Sequence, residues 1–175
     1  AEIILGAVQA AGFGPVIPPT DFGLDPILAV HDADYVHFLQ HAYDAWVASG
    51  RNPNGVHPDG FSVRGMTHRP NDLALQAGYY SHDVTTILTR GTWEAAYASA
   101  QCAITAAQAV AGGDSSAFAV CRPPGHHADA DLSAGYCFLN NASIAAQWLL
   151  NQTHSPAARV AILDIDFHHG NGTQH

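Results

Sequence analysis

The segment RVAILDID (159–166), apolar through Val160–Leu163, leads straight into Phe167-His168-His169-Gly170, and this junction limits the fold more than any other stretch. Continuous apolar residues over a strand's length read as a strand buried on both faces, the kind found in parallel sheets covered by helices. In an extended chain alternate side chains share a face, so Asp164, Asp166 and His168 point the same way. Neighbours on that face stand roughly 6.6 Å apart, at a rise of about 3.3 Å per residue. Asp166 and His168 can lean onto one metal ion at bond lengths of about 2.0–2.2 Å, which suit zinc. Open α/β sheets bind ligands at the carboxyl ends of their strands, where this cluster falls. The alternative is an Asp and a His that merely cap the next helix, and the rarity of buried charge weighs against it.

The pattern recurs upstream. AFAVC (117–121) is a second apolar run of strand length, followed at once by Arg122-Pro123-Pro124-Gly125-His126-His127-Ala128. Two prolines and a glycine fix the loop's path and set adjacent imidazoles at a strand end. Such a pair serves either as metal ligands or as a general base beside an electrostatic partner. Taken alone it also fits a surface pair, in a chain with 12 histidines. Next comes Gly135-Tyr136-Cys137-Phe138-Leu139-Asn140-Asn141, feeding a helix. Asn140 reads as the N-cap, Phe138 and Leu139 as core, and Cys137 as a small buried residue with nothing to activate it. Gly135 and Tyr136 are placed to line a pocket near the histidines.

Helices are expected over 2–11, from Asp32 or Asp34 to Gly50, over about 72–88, from a Thr92 cap to Gly112-Gly113, and over 140–152. Residues 51–72, rich in Gly, Pro, Asn and Asp, form one long loop. Helices alternating with the two strands, without internal repeats, argue a single α/β domain with a parallel sheet.

All six basic residues are arginine, and the net charge is −9. The absence of lysine excludes a Walker lysine, a Schiff-base lysine and a polybasic tract. The acidic balance repels nucleic acid and anionic membrane surfaces and favours cationic ligands. Cys102, Cys121 and Cys137 form no CxxC pair or disulfide framework, so a reducing, cytoplasmic setting is expected. No apolar run reaches the roughly 18 residues that span a bilayer. AEIILGAVQAAG lacks a basic start and reads as a helix, not a signal peptide. With no initial Met and a last residue just past a motif, both ends read as cut.

RPPGHHA, GYCFLNNA and LDIDFHHGNGTQ together resemble the zinc-dependent histone deacetylase and acetylpolyamine amidohydrolase superfamily, over about Val30 to Gln174. GTWEAA, GYCF and DFHHGNGTQ are most similar to its bacterial acetylpolyamine amidohydrolase-like members, related to the class II deacetylases. The resemblance implies a three-layer arginase/deacetylase-like α/β fold with a central parallel sheet. Residues 1–175 would be the N-terminal portion of a single catalytic domain, with loop 51–72 a substrate-site or oligomer-contact insertion. The implied reaction is zinc-dependent hydrolysis of N-acyl amides of primary amines, acetylpolyamines or acetyl-lysine, releasing acetate and free amine.

Carried over by position, Asp166 and His168 become zinc ligands, His127 the general base and acid, and His126 its electrostatic partner, hydrogen-bonded to Asp164. Backbone carbonyls of Asp164, Asp166 and His168 would hold potassium, and Gly135 and Tyr136 would line a narrow substrate tunnel. Asn171 stands where some members carry an Asp; an amide orients an imidazole but does not stabilise an imidazolium as a carboxylate does. The acetylpolyamine pattern has an acid before GTWEAA where Thr85 stands, with Asp83 two residues away, so the choice between polyamine and acetyl-lysine stays open. The family's third zinc ligand, an Asp, and its carbonyl-polarising Tyr lie beyond residue 175. The expected partners are a small cationic acetylated amine and a second copy of the complete protein. Two other readings share parts of the pattern. A dimanganese ureohydrolase has this architecture but needs more carboxylates than D-x-D-x-H supplies. An inactive acyl-amine binding module would keep the site without turnover.

Overall fold

Helical periodicity becomes five helices of seven residues or more in a computed structural model that describes residues 2–63, 65–153 and 155–175. They are α1 (Glu2–Ala11), α3 (Ala33–Ala48), α4 (Leu73–Tyr79), α5 (Thr92–Ala111) and α6 (Asn141–Gln152). Two single turns, α2 (Asp25–Leu28) and α7 (Asn171–Gln174), have no periodic signature in the sequence. The inward face of α3 carries Tyr35, Phe38, Leu39, Ala42 and Trp46 at three- and four-residue spacing, all buried. The Tyr35 hydroxyl donates to the Phe138 carbonyl at 2.8 Å, which ties α3 to the segment leading into α6. Ala96, Ala100 and Ile104 on α5 face the same core as Ile144 on α6, and α5 packs chiefly on α6. The small residues of α5 let the two backbones approach closely.

Three expectations change. The helix expected over 72–88 is capped by Asp72, whose carboxylate accepts from Ala74 N at 2.8 Å, but it ends at Tyr79. Beyond it the Asp83 carboxylate takes the amides of Thr85 and Thr86, each at 2.7 Å. That local capture, in a run of β-branched residues, competes with helical hydrogen bonding. Thr92 is the first helical residue rather than the cap; Gly91, at φ 81°, is the N-cap, and Thr92 Oγ1 accepts from Thr89 N instead.

The third change concerns the strands. Among the described residues neither AFAVC nor RVAILDID forms a ladder; pairing is limited to isolated bridges, Val56–Leu88, Ser81–Ser133 and Ala134–Cys137. Far from being buried on both faces, Leu163 and Ile165 are each 89% exposed, and Phe167 is 96% exposed. A parallel strand takes its cover from neighbouring strands and crossover helices, and no described segment pairs with this one. A cleft of about 430 Å³ runs between the two apolar segments, walled by Cys121 and Pro124 on one side and Ile162, Leu163 and Ile165 on the other. Loop 51–72 is pinned to the body where described: Val56 bridges Leu88, and Arg69 pairs with Asp34 at 3.3 Å. No helix among the described residues is long and apolar enough to cross a membrane.

Exposed Ile162, Leu163, Ile165 and Phe167 form an apolar strip with unpaired backbone, a surface that associates in water. The 175-residue chain expressed alone is therefore expected to self-associate. Size-exclusion chromatography with light scattering checks this, and a monodisperse monomer would contradict it.

Candidate active site

His126 and His127 leave the Pro123-Pro124-Gly125 turn with their rings side by side, centroids 4.1 Å apart. His126 Nδ1 donates to Asp164 Oδ2 at 2.8 Å, and His127 Nδ1 donates to Asn171 Oδ1 at 2.7 Å. Each ring is thus anchored through Nδ1, leaving Nε2 on its far side. His126 Nε2 lies 3.9 Å from Asp166 Oδ1, and the His127 ring lies 6.0 Å from that of His168. The residues singled out at both strand ends therefore meet in one place.

Asp164 and Asp166 organise their own loop. Asp164 Oδ1 accepts from Asp166 N at 3.0 Å, and Asp166 Oδ1 accepts from His168 N at 2.7 Å. The Asp166 amide and then His126 hold the Asp164 carboxyl below the usual carboxylate range. For Asp166 the His168 amide does the same. Asp166 Oδ1 stands 3.1 Å from His168 Nδ1. Two donors on one tetrahedral zinc, at bonds of about 2.0–2.1 Å, stand about 3.3 Å apart. This carboxylate–imidazole pair, on side chains open to solvent, fits such an ion. Among the described residues no third His, Cys, Asp or Glu joins them.

The two loops interlock behind the rings. Gly172 N and Thr173 N, on α7, donate to the His126 carbonyl at 3.0 and 3.2 Å. A Cβ at Gly170 would overlap Asp164 Oδ2, so only glycine lets that carboxylate lie against the backbone. Asn140, expected as a cap, does cap α6 through Ser143 N at 3.0 Å. Its amide also donates to Ala128 O and Thr173 Oγ1, both at 3.1 Å. His31 completes this joint: its Nε2 accepts from Asn140 N at 2.9 Å while Nδ1 donates to Ala130 O at 3.3 Å. Nothing in the sequence marks His31 beyond a lone histidine before a helix.

Ala134 and Cys137 bond N to O in both directions, at 3.2 and 2.8 Å, around Gly135 at φ 54° and Tyr136 at φ 65°. Positive φ at both central residues is what a type I′ turn requires. Gly135 lies against His127, and Tyr136 stands 62% exposed. Phe138 and Leu139 are core, as expected. Cys137 is fully buried and its thiol is pushed up to about 11 by that burial, which leaves it un-ionised. Asp83, noted in the sequence only as an acid near a polyamine-pattern position, turns inward onto backbone amides. Burial acts to raise its pKa, but the amides of Gly135, Thr85 and Thr86 outweigh this and hold it at about 2. Besides its apolar walls the cleft is lined by His126, Asp164 and Asp166 but not by His127, Tyr136 or His168, so it reaches the site from the His126–Asp164 side.

The histone deacetylase domain family matches residues 2–175, and the chain belongs to it. Among known proteins it is 49% identical over 175 residues to the acetylpolyamine amidohydrolase of Mycoplana ramosa, covering 99% of this chain and 50% of that protein. It is also 49% identical over 176 residues to acetylpolyamine amidohydrolase 1 of Pseudomonas aeruginosa, with the same coverage. The crystal structure of acetylpolyamine aminohydrolase from Burkholderia pseudomallei superposes with a TM-score of 0.86 at 43% identity, over 98% of this chain and 48% of that one. The HDA15 HD domain superposes at 0.70 with 24% identity, over 99% and 41%, a likeness of fold alone. The chain spans about half the length of the curated relatives it matches. These neighbours establish the arginase/deacetylase fold, while its parallel sheet has no ladder among the described residues.

Two outcomes follow. Gly135→Ala drives a Cβ into the His127 ring and forces a left-handed φ on alanine. The complete domain carrying it should lose most activity while keeping its metal content; unchanged turnover would show that the turn does not press on His127. The second concerns His31, whose pKa burial lowers below its ordinary value, partly opposed by the Ala130 and Asp129 backbone. The unfolded chain then binds more protons than the folded one, so stability is full above about pH 6.5 and falls as pH drops below it. Thermal melts between pH 8 and 5 should show that slope, reduced in His31→Gln.

Proposed function

We propose that this chain carries the proton-transfer residues and two metal ligands of a zinc-dependent deacetylase domain acting on N-acetyl amides of small cationic primary amines. Acetylpolyamines are the first candidates, since relatives at 49% identity bear that name; acetyl-lysine presents the same acyl-amine group. One observation carries the reading: His127, tied through Nδ1 to Asn171, lies beside the carboxylate–imidazole pair of Asp166 and His168.

Asp166 and His168 hold the metal, with a third Asp ligand and an oxyanion-stabilising Tyr supplied by residues beyond 175. When bound, a zinc-type ion supplies Lewis acidity, polarising the amide carbonyl and lowering the pKa of water toward about 7. His127 Nε2 takes a proton from the attacking water as the new C–O bond forms. The same nitrogen then returns the proton to the departing amine as the C–N bond breaks. Asn171 keeps that ring in register. Asp164 aligns His126 and offsets positive charge there, so His126 acts as the electrostatic partner. The net charge of −9 favours a cationic amine and disfavours polyanions.

Gly135 and Tyr136 line the substrate tunnel, and backbone carbonyls of Asp164, Asp166 and His168 hold a structural potassium ion. Residues 1–175 form the N-terminal portion of one catalytic domain. The rest of its parallel sheet covers the exposed 159–167 strip and fills the cleft beside it. Loop 51–72 serves the substrate site or a homodimer contact, and the protein works in the cytoplasm.

The test uses the complete domain. Asp166→Ala and His168→Ala should each remove most zinc and nearly all deacetylation, measured by elemental analysis and amine release. His127→Ala should keep its zinc while turnover falls by about 10²- to 10⁴-fold, the usual worth of a general acid–base. His126→Ala should be impaired less. Near-normal zinc in both ligand variants would sink the metal assignment, and a deader His126→Ala would reverse the histidine roles.

A further inference from the structure

Where α4 stops at Tyr79, residues 80–86 run alongside the Gly135–Tyr136 turn and satisfy it. Every backbone amide from Ser133 to Cys137 has a partner. Ser133 N donates to Tyr80 O at 2.8 Å, and Ala134 and Cys137 serve each other. Gly135 N donates to Asp83 Oδ2 at 2.7 Å, and Tyr136 N donates to Thr86 Oγ1 at 2.9 Å. The Thr86 hydroxyl in turn donates to Asp83 Oδ2 at 2.9 Å. Asp83 Oδ1 accepts from Thr85 N and Thr86 N at 2.7 Å and from Thr85 Oγ1 at 2.9 Å. One carboxylate thus gathers five donors, and one buried hydroxyl passes its reach on to the Tyr136 amide.

The turn needs this support. Tyr136 sits at φ 65°, a region that bulky L-residues adopt only where the surroundings enforce it. Its side chain is 62% exposed, so core packing does not set where the ring stands; the backbone does. On the other side of the turn, Gly135 touches the His127 ring. With all five donors converging on it, Asp83 is also closed to a substrate's ammonium group.

We propose that Asp83 and Thr86 are positioning residues that clamp the Gly135–Tyr136 turn and so set the channel wall beside His127. This rests on the deacetylase reading only for what the wall does. In the zinc-loaded complete domain, Thr86→Val keeps the shape of the buried side chain but removes the hydroxyl. Hydrogen exchange at the Gly135 and Tyr136 amides should quicken about tenfold, with Ser133 unchanged. Zinc content should hold, and KM for an acetylated diamine should rise about tenfold with kcat within about twofold, the signature of lost binding common to ground and transition states. Thr86→Ser should restore both. Asp83→Asn, which keeps side-chain shape, is the second variant and should loosen the same two amides. Unchanged exchange overturns the clamp. Faster exchange with unchanged KM overturns its role in the site, as does a parallel loss of zinc and kcat that Thr86→Ser fails to rescue. An enzyme inert toward every acylated amine would sink the deacetylase reading, while the exchange measurement would still decide the clamp.

Discussion

His126 Nδ1 and Asp164 Oδ2 meet at 2.8 Å across 38 residues of sequence, and the geometry of the site descends from that bond. With the His127–Asn171 bond and the Gly172 and Thr173 amides on the His126 carbonyl, it joins the loop after AFAVC to the loop after RVAIL, while the apolar segments themselves face each other across an open cleft. A hydrogen bond to an ionised carboxylate is shorter and stronger than a neutral one, which suits a joint that must hold two loops in register. The second oxygen of Asp164 extends the order downstream: it fixes the Asp166 amide, and Asp166 fixes that of His168. Each Asp accepts the amide two residues on, so D-x-D-x-H winds into successive Asx turns.

Those turns also mark what spacing along the sequence leaves out. Period-two alternation expects Asp164, Asp166 and His168 on one face of an extended strand; the chain bends there instead, with Asp166 Oδ1 3.1 Å from His168 Nδ1. The spacing names the residues, and local side-chain capture of backbone amides shapes the loop that carries them. The helical stripe of α3 and the cap at Asn140 were legible because their determinants lie within a few residues. The early end of α4 was not, since Asp83 capturing Thr85 and Thr86 leaves no periodic trace. The His31–Asn140–Ala130 joint was equally silent, because it spans about a hundred residues through single polar contacts. RVAIL reads as a buried strand by composition, yet burial belongs to a sheet and not to one strand.

The two imidazoles differ in what holds them. His126 faces a carboxylate that can balance positive charge, whereas His127 faces an amide that supplies direction without charge. This division suits a pair in which one ring carries a standing electrostatic duty and the other must give back every proton it takes. Asn171 begins α7, and the amides of Gly172 and Thr173 in the same turn hold the His126 carbonyl. One turn therefore fixes the ring of one histidine and the backbone of the other. A four-residue helix has no stability of its own in water. It persists through these bonds and through Thr173 against Asn140, whose amide also reaches Ala128 beside the pair. The support is circular: the histidine loop shapes the helix that orients the histidines. A weakened contact anywhere in that circle should therefore reach the imidazoles before it reaches the α3–α4 or α5–α6 core, which shares none of these bonds except through Asn140 and His31.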